Sequence, residues 1–299
     1  MRRRHLILAL LAVAFFAGCA YIDNKQGEWI FRPTESTWWG ARPIPASFVE
    51  RDIPIVSDGK PTGETVHSWW APVENPNAPV LLYLHGARWN LTGSVTRIPR
   101  WNNMGFSVLA IDYRGFGKSS PRTPSEQSAY EDAETAWAYL KTLAPNSRRF
   151  IFGHSLGGAM ATHLAIKDPS ADGLILEATF TNIPDMVRGS AYGFLPVSGL
   201  ITQRFDNLDR IDDVKVPVLI AHGTDDSIVP YKMGESLFAA ATSRKRFFSA
   251  AGGNHHNMTS RFYEEYAQAV REHFALNPAQ TQGSARALGQ NVPESRTNP

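Results

Sequence analysis

The residues best suited to chemistry are a serine, a pair of aspartates and a pair of histidines, in that chain order. Ser155 sits at the centre of Gly153-His154-Ser155-Leu156-Gly157. An apolar run, Phe150 to Phe152, precedes it, and Ala159, Ala161, Leu164 and Ala165 follow at helical spacing. This context predicts a strand, a sharp turn and a helix. A serine at such a turn takes a strained backbone and holds its Oγ in the open. The flanking glycines let strand and helix pass close to each other, and the helix start favours developing negative charge. Asp225 and Asp226 lie in Ala221-His222-Gly223-Thr224-Asp225-Asp226, about seventy residues downstream. His255 and His256 lie in Gly252-Gly253-Asn254-His255-His256-Asn257. A serine hydroxyl is a poor nucleophile until an imidazole takes its proton. The imidazole needs a carboxylate to fix its tautomer and stabilise its charged form. The attacked carbonyl oxygen needs N–H donors, each worth roughly 10²–10³ in rate.

These residues need a frame. Val80 to Leu84 is a near-continuous apolar run, the pattern of a strand buried on both faces, and it ends in His85-Gly86-Ala87-Arg88. Phe106 to Ile111 is the next strand and runs into Asp112-Tyr113-Arg114-Gly115-Phe116-Gly117-Lys118-Ser119. A helix is predicted from Ser125, as N-cap, to Leu143, stopped by Pro145. Short strands at Gly173–Glu177, Val218–Ala221 and Arg246–Phe248 alternate with helices near 157–167, 231–241 and 262–274. Upstream, Ile53–Val56 and Glu64–Trp70 read as an antiparallel pair across Ser57-Asp58-Gly59-Lys60. Strands alternating with helices give an α/β fold with a mostly parallel sheet covered on both faces. Ligands then bind at the carboxyl ends of the strands, where all these motifs lie. Residues 20–51, with Trp29, Trp38 and Trp39 and little periodicity, read as an irregular apron whose aromatics pack on the domain.

Taken together, Gly-His-Ser-Leu-Gly at 153–157, His85-Gly86, the Asp112 to Ser119 stretch, His-Gly-x-x-Asp-x-x-Val-Pro at 222–230 and the late His256-Asn257 resemble the α/β-hydrolase superfamily. The nearest group is the small-lid one with serine aminopeptidase-like and depalmitoylase-like hydrolases, over roughly residues 30–275. The resemblance implies an eight-stranded, mostly parallel sheet with helices on both faces and a short lid at about 180–214. It implies Ser155 as nucleophile and Asp226, by the His-Gly-x-x-Asp spacing, as the acid, with Asp225 as the rival. His256 is the implied base because Asn follows it, with His255 the alternative, since Met258 stands where the group's His-Asn-Asp pattern has Asp. The oxyanion hole would be the backbone N–H groups of Ala87 and Leu156. His154 and His222 are read as satisfying local turns, His85 as shaping the oxyanion loop, and Asp112 and Arg114 as holding the turn after their strand. Apolar lid residues, among them Met186, Tyr192, Phe194, Leu195, Leu200 and Ile201, would line an acyl pocket or cover the core.

Composition supplies an address. Met1-Arg2-Arg3-Arg4-His5 is a basic start, Leu6 to Phe16 an apolar stretch too short to span a bilayer, and Cys19 the only cysteine. This resembles a bacterial lipoprotein signal, with Phe16 where Leu is usual three residues before the cysteine; an ordinary secretory signal or an uncleaved anchor are the alternatives. The resemblance implies removal of residues 1–18 and lipidation of Cys19. Ala20, in place of Asp, favours the outer membrane of a cell envelope that has one. The formal net charge is +2; loss of the three leading arginines leaves 27 basic against 28 acidic residues, a charge of −1. No basic field for nucleic acid remains. A hydrophobic content of 43% is enough for a packed core in one domain, 19–276. Residues 277–299 are polar and read as a disordered tail. No histidine–carboxylate spacing marks a catalytic metal, and no glycine-rich loop marks a nucleotide, so neither metal nor cofactor is expected.

The expected function is hydrolysis of carboxylic esters or thioesters through an acyl-enzyme, on a small-molecule or lipid-like acyl substrate. Peptide or amide hydrolysis on the same triad is the alternative. A lipid-anchored binding protein that has lost activity is the non-enzymatic reading, since a fold alone does not prove function.

Overall fold

The computed structural model describes residues 21–37, 42–57, 59–189 and 198–276, with His5 and Gly18. Cys19, Trp38, Trp39, Tyr192, Phe194, Leu195 and the tail from 277 lie outside the described residues. No helix among the described residues is long and apolar enough to cross a membrane.

Eight strands form one sheet. They are β1 (Val49–Ser57), β2 (Lys60–Ala71), β3 (Val80–Leu84), β4 (Ser107–Ile111), β5 (Arg149–His154), β6 (Gly173–Glu177), β7 (Val218–Gly223) and β8 (Lys245–Ala250), in the order β1-β2-β4-β3-β5-β6-β7-β8. β1 pairs antiparallel with β2, and β2 with β4. All other pairings are parallel. The wholly buried strands β3, β4, β6 and β7 are built around apolar runs. Alternation decides which face each residue serves. Val80, Leu82 and Leu84 of β3 join one core cluster, and Leu81 and Tyr83 join the other.

The first cluster is closed by α3 (Glu126–Leu143), α4 (Gly157–Lys167) and α6 (Tyr231–Ala240), the second by α2 (Ile98–Asn103), α7 (Met258–Arg261) and α8 (Tyr263–His273). α3 starts where expected, because Ser125 and Ser128 form a reciprocal capping box that satisfies otherwise orphaned N–H groups. Trp101 of α2 is fully buried against Phe106, Phe152 and Tyr266, and so ties the second helix layer to β5.

The apron departs from expectation. Residues 21–31 are helical (α1), and Trp29 is 70% exposed rather than packed. The helix is held by a different pair. Phe31 is fully buried between Phe116 and Phe205. Gln26, also buried, donates through Nε2 to the Leu200 carbonyl at 2.9 Å and accepts the Thr202 N–H at 2.8 Å. In the segment expected to form a lid, α5 (Ile183–Arg188) lays Met186 on the core, while Leu200 faces solvent.

Candidate active site

Ser155 occupies the turn between β5 and α4 with φ +54°, the left-handed region that an ordinary side chain avoids. The neighbours over-determine it. The Ser155 N–H donates to the Glu177 carbonyl at 2.9 Å, and Thr179 Oγ1 donates to the Ser155 carbonyl at 2.8 Å. Gly157 opens α4 hard against the end of β3. A Cβ on it would stand 2.1 Å from the Leu84 carbonyl oxygen. That contact brings the loop after β3 up to the serine turn. A Cβ on Gly86 would lie 3.1 Å from Ser155 Cβ. Among the described residues, no acceptor takes the N–H of Ala87 or of Leu156.

The loop after β3 is braced from several sides. The Arg88 N–H donates to the Phe31 carbonyl at 2.7 Å, so the end of α1 holds it directly. Asn90 Nδ2 donates to the carbonyls of Thr34 and Ser36. Asp112 accepts the Leu91 N–H at 2.7 Å, and His85 packs on Tyr113 and Phe116. Arg114 is buried and spends its guanidinium on Asp132, Glu64, Glu131 and the Ser128 carbonyl. Its part is to hold the turn.

Asp226 lies at the end of β7. Its Oδ1 accepts the N–H groups of Ile228 and Val229, each at 2.9 Å. Its Oδ2 accepts His255 Nδ1 at 2.7 Å and lies 3.3 Å from His222 Nε2. Burial alone would raise this carboxyl. The hydrogen bonds from His222, His255 and Val229 outweigh it and hold the group well below the usual carboxylate range. Asp225 is exposed, and its carboxylate accepts the Thr224 hydroxyl.

The histidine bonded to Asp226 is therefore His255, where the sequence favoured His256. The turn decides between them. Asn257 Oδ1 accepts the Asn254 N–H at 2.9 Å, and Asn254 Oδ1 accepts the His256 N–H at 3.0 Å. That turn sends the side chain of 255 inward and that of 256 outward, so His255 is buried and His256 exposed. Asn257 serves the site as a turn-maker whichever histidine precedes it.

His154 also does more than satisfy a local turn. Its Nε2 lies 2.9 Å from the His255 carbonyl, 101 residues away. A carbonyl only accepts, so that nitrogen carries the proton. Burial, then the Arg97 charge, holds His154 well below the ordinary histidine range. Partial desolvation, then its neighbours His255 and Arg97, lowers His256 to about 4. Arg97 itself is buried in an ion pair with Glu177, on the strand beside the serine turn.

Known proteins share sequence and fold with this chain. An uncharacterized protein of Mycobacterium tuberculosis is 30% identical over 249 residues, covering 81% of this chain and 84% of its own. The chain is a member of the α/β-hydrolase superfamily. The family described as serine aminopeptidase, S33, matches residues 75–208 of this α/β-hydrolase. The lysophosphatidylserine lipase ABHD12 of Xenopus tropicalis is 31% identical over 195 residues, 58% of this chain and 49% of the lipase. This α/β-hydrolase thus spans about half the length of the ABHD12 lipases it matches. In structure it resembles an esterase of Pyrococcus furiosus (TM-score 0.66, 20% identity, 81% of this chain and 96% of the esterase). It also resembles Est1E of Butyrivibrio proteoclasticus in complex with ferulic acid (TM-score 0.61, 19% identity, 75% and 99%).

Proposed function

We propose that the chain is a serine hydrolase that cleaves carboxylic esters or thioesters through an acyl-enzyme on Ser155. His255 is the general base and Asp226 the acid that orients it. Ser155 Oγ attacks the acyl carbonyl as its proton passes to His255 Nε2. The imidazolium then protonates the leaving alcohol or thiol, and water repeats the sequence to release the acid. The N–H groups of Ala87 and Leu156 stabilise the oxyanion. The observation that carries this reading is the 2.7 Å bond between His255 Nδ1 and Asp226 Oδ2, because it commits the proton to Nδ1 and leaves the lone pair on Nε2.

The substrate reading is a lipid-like acyl ester or a small ester. Its support is the shared sequence with lipases named for lysophosphatidylserine. Amide hydrolysis is the second reading, favoured by the serine aminopeptidase description of residues 75–208. A matched acyl ester and anilide separate the two: the ester is expected to turn over faster, and faster anilide turnover would reverse the assignment. The proposed setting is the bacterial cell envelope, with the chain anchored by lipid on Cys19. Cys19→Ser is expected to move the protein from the membrane to the soluble fraction; full retention in membranes would exclude the lipid anchor.

A further inference from the structure

Three imidazoles that the proposed reaction does not all need converge at this site. His154 ends β5, while His255 and His256 follow β8. One ring nitrogen from each lies within 4.8 Å of those of the other two. Among the described residues, no other three histidine, cysteine, aspartate or glutamate side chains meet in this way. The sequence carries no sign of it, because no metal-binding spacing links residues so far apart.

We infer that His154, His255 and His256 form a binding site for a borderline transition-metal ion such as Zn²⁺, and that the bound ion switches the hydrolase off. Two of the three rings already have the outer contacts that metal-ligating histidines use. Such a histidine donates its second ring N–H to a carboxylate or a backbone carbonyl, which fixes the tautomer and aims the lone pair at the metal. His255 donates Nδ1–H to Asp226, so its lone pair is on Nε2. His154 donates Nε2–H to the His255 carbonyl, so its lone pair is on Nδ1, beside the bare face of Gly86. No ring nitrogen of His256 is hydrogen-bonded among the described residues, and its ring centroid lies 4.8 Å from that of His255.

The donor set selects the ion. Three neutral nitrogens and no carboxylate suit zinc or copper and give magnesium or calcium little to hold. With metal–nitrogen bonds of about 2.0–2.1 Å, three nitrogen ligands in a tetrahedral site leave a fourth position for water.

The inhibitory consequence rests on the proposed triad. The His255 Nε2 lone pair that a metal would take is the one that must accept the Ser155 proton. Metal binding and turnover then exclude each other, and chelation restores activity.

The test uses tag-free, chelator-treated protein and Zn²⁺ alone. Calorimetric titration of Ser155→Ala reads binding without any activity. One ion per chain is expected, weakened at least tenfold by adding His256→Ala, while Mg²⁺ gives no heat of binding. In the Ser155-intact protein, Zn²⁺ is expected to inhibit ester turnover reversibly. The half-inhibition concentration should rise at least tenfold in His256→Ala, each protein being compared with its own metal-free rate. His256 is exposed, so its replacement is not expected to disturb folding, and circular dichroism checks this. No stoichiometric binding, or binding indifferent to His256→Ala, would overturn the metal site. Tight His256-dependent binding with undiminished turnover would overturn the assignment of the ion to the base, and with it the role of His255. Binding in a protein without any esterase activity would uphold the metal site and count against the proposed function alone.

Discussion

His154 Nε2 donates to the His255 carbonyl at 2.9 Å, and so ties the turn that carries Ser155 to the loop that carries His255. The two segments come from different strands, and this buried bond is a direct link between them. Removing a buried hydrogen bond costs about 1 kcal/mol. His154→Ala is expected to lower the urea midpoint modestly and to lower kcat about tenfold with little change in KM, because it frees the base rather than the substrate. A stability loss without any change in kcat would restrict His154 to a structural part.

The two adjacent histidines are separable by mutation. His255→Ala is expected to cut kcat/KM by roughly 10³-fold or more, as removal of a triad member does. His256→Ala in metal-free protein is expected to cost less than about tenfold, since that ring makes no hydrogen bond to Asp226. Steady-state kinetics on an activated ester checks both, and the reverse ranking would restore His256 as the base.

Which features were legible in the sequence follows from how each is encoded. β3, β6 and β7 are buried on both faces, so their apolar runs announce them. The serine turn and Asp226 were legible because a strand-to-helix turn and a post-strand loop have fixed local spacing. Helix α1 was not, because one of its anchors is the polar Gln26 and its large tryptophan faces water, which erases any apolar period. The choice between His255 and His256 was not legible either. Their spacing to everything else is the same within one residue, and only the side chains of Asn254 and Asn257 decide which ring turns inward.

The close approach at Gly157 has a sharp consequence. A Cβ there would stand 2.1 Å from the Leu84 oxygen and 2.6 Å from the His85 oxygen, both backbone atoms that cannot swing aside. Gly157→Ala is expected to destabilise by roughly 3 kcal/mol. It should also depress activity beyond the folded fraction lost, because it pushes the loop of Ala87 away from Ser155. Urea unfolding with activity per folded molecule checks both, and an unperturbed variant would show that the two backbones are not in contact.

Acid should weaken the fold through its histidines, against the opposing effect of buried Asp132, whose carboxyl burial raises to about 6. An unfolded histidine binds its proton near pH 6.5. Buried His154 lies well below that value in the folded chain; His256, lowered to about 4, is exposed, so solvent screening makes its share smaller. Between those pH values the unfolded chain holds more protons, so stability rises with pH and is lost on acidification. The limiting slope for one such group is about 1.4 kcal/mol per pH unit. Urea midpoints at pH 7, 6 and 5 are expected to fall in that order, and His154→Asn is expected to flatten the trend. A His154→Asn trend no flatter than that of wild type would show that His154 takes up its proton in the folded state near its ordinary value.

The most direct measurement is the intact mass of the protein after exposure to a fluorophosphonate, for wild type, Ser155→Ala and His255→Ala. If Ser155 is activated by His255 and Asp226, wild type gains one stoichiometric adduct, Ser155→Ala gains none, and His255→Ala reacts at least 10²-fold more slowly. An unmodified but well-folded wild type, or an adduct that survives in Ser155→Ala, would contradict the assignment of Ser155 as the nucleophile.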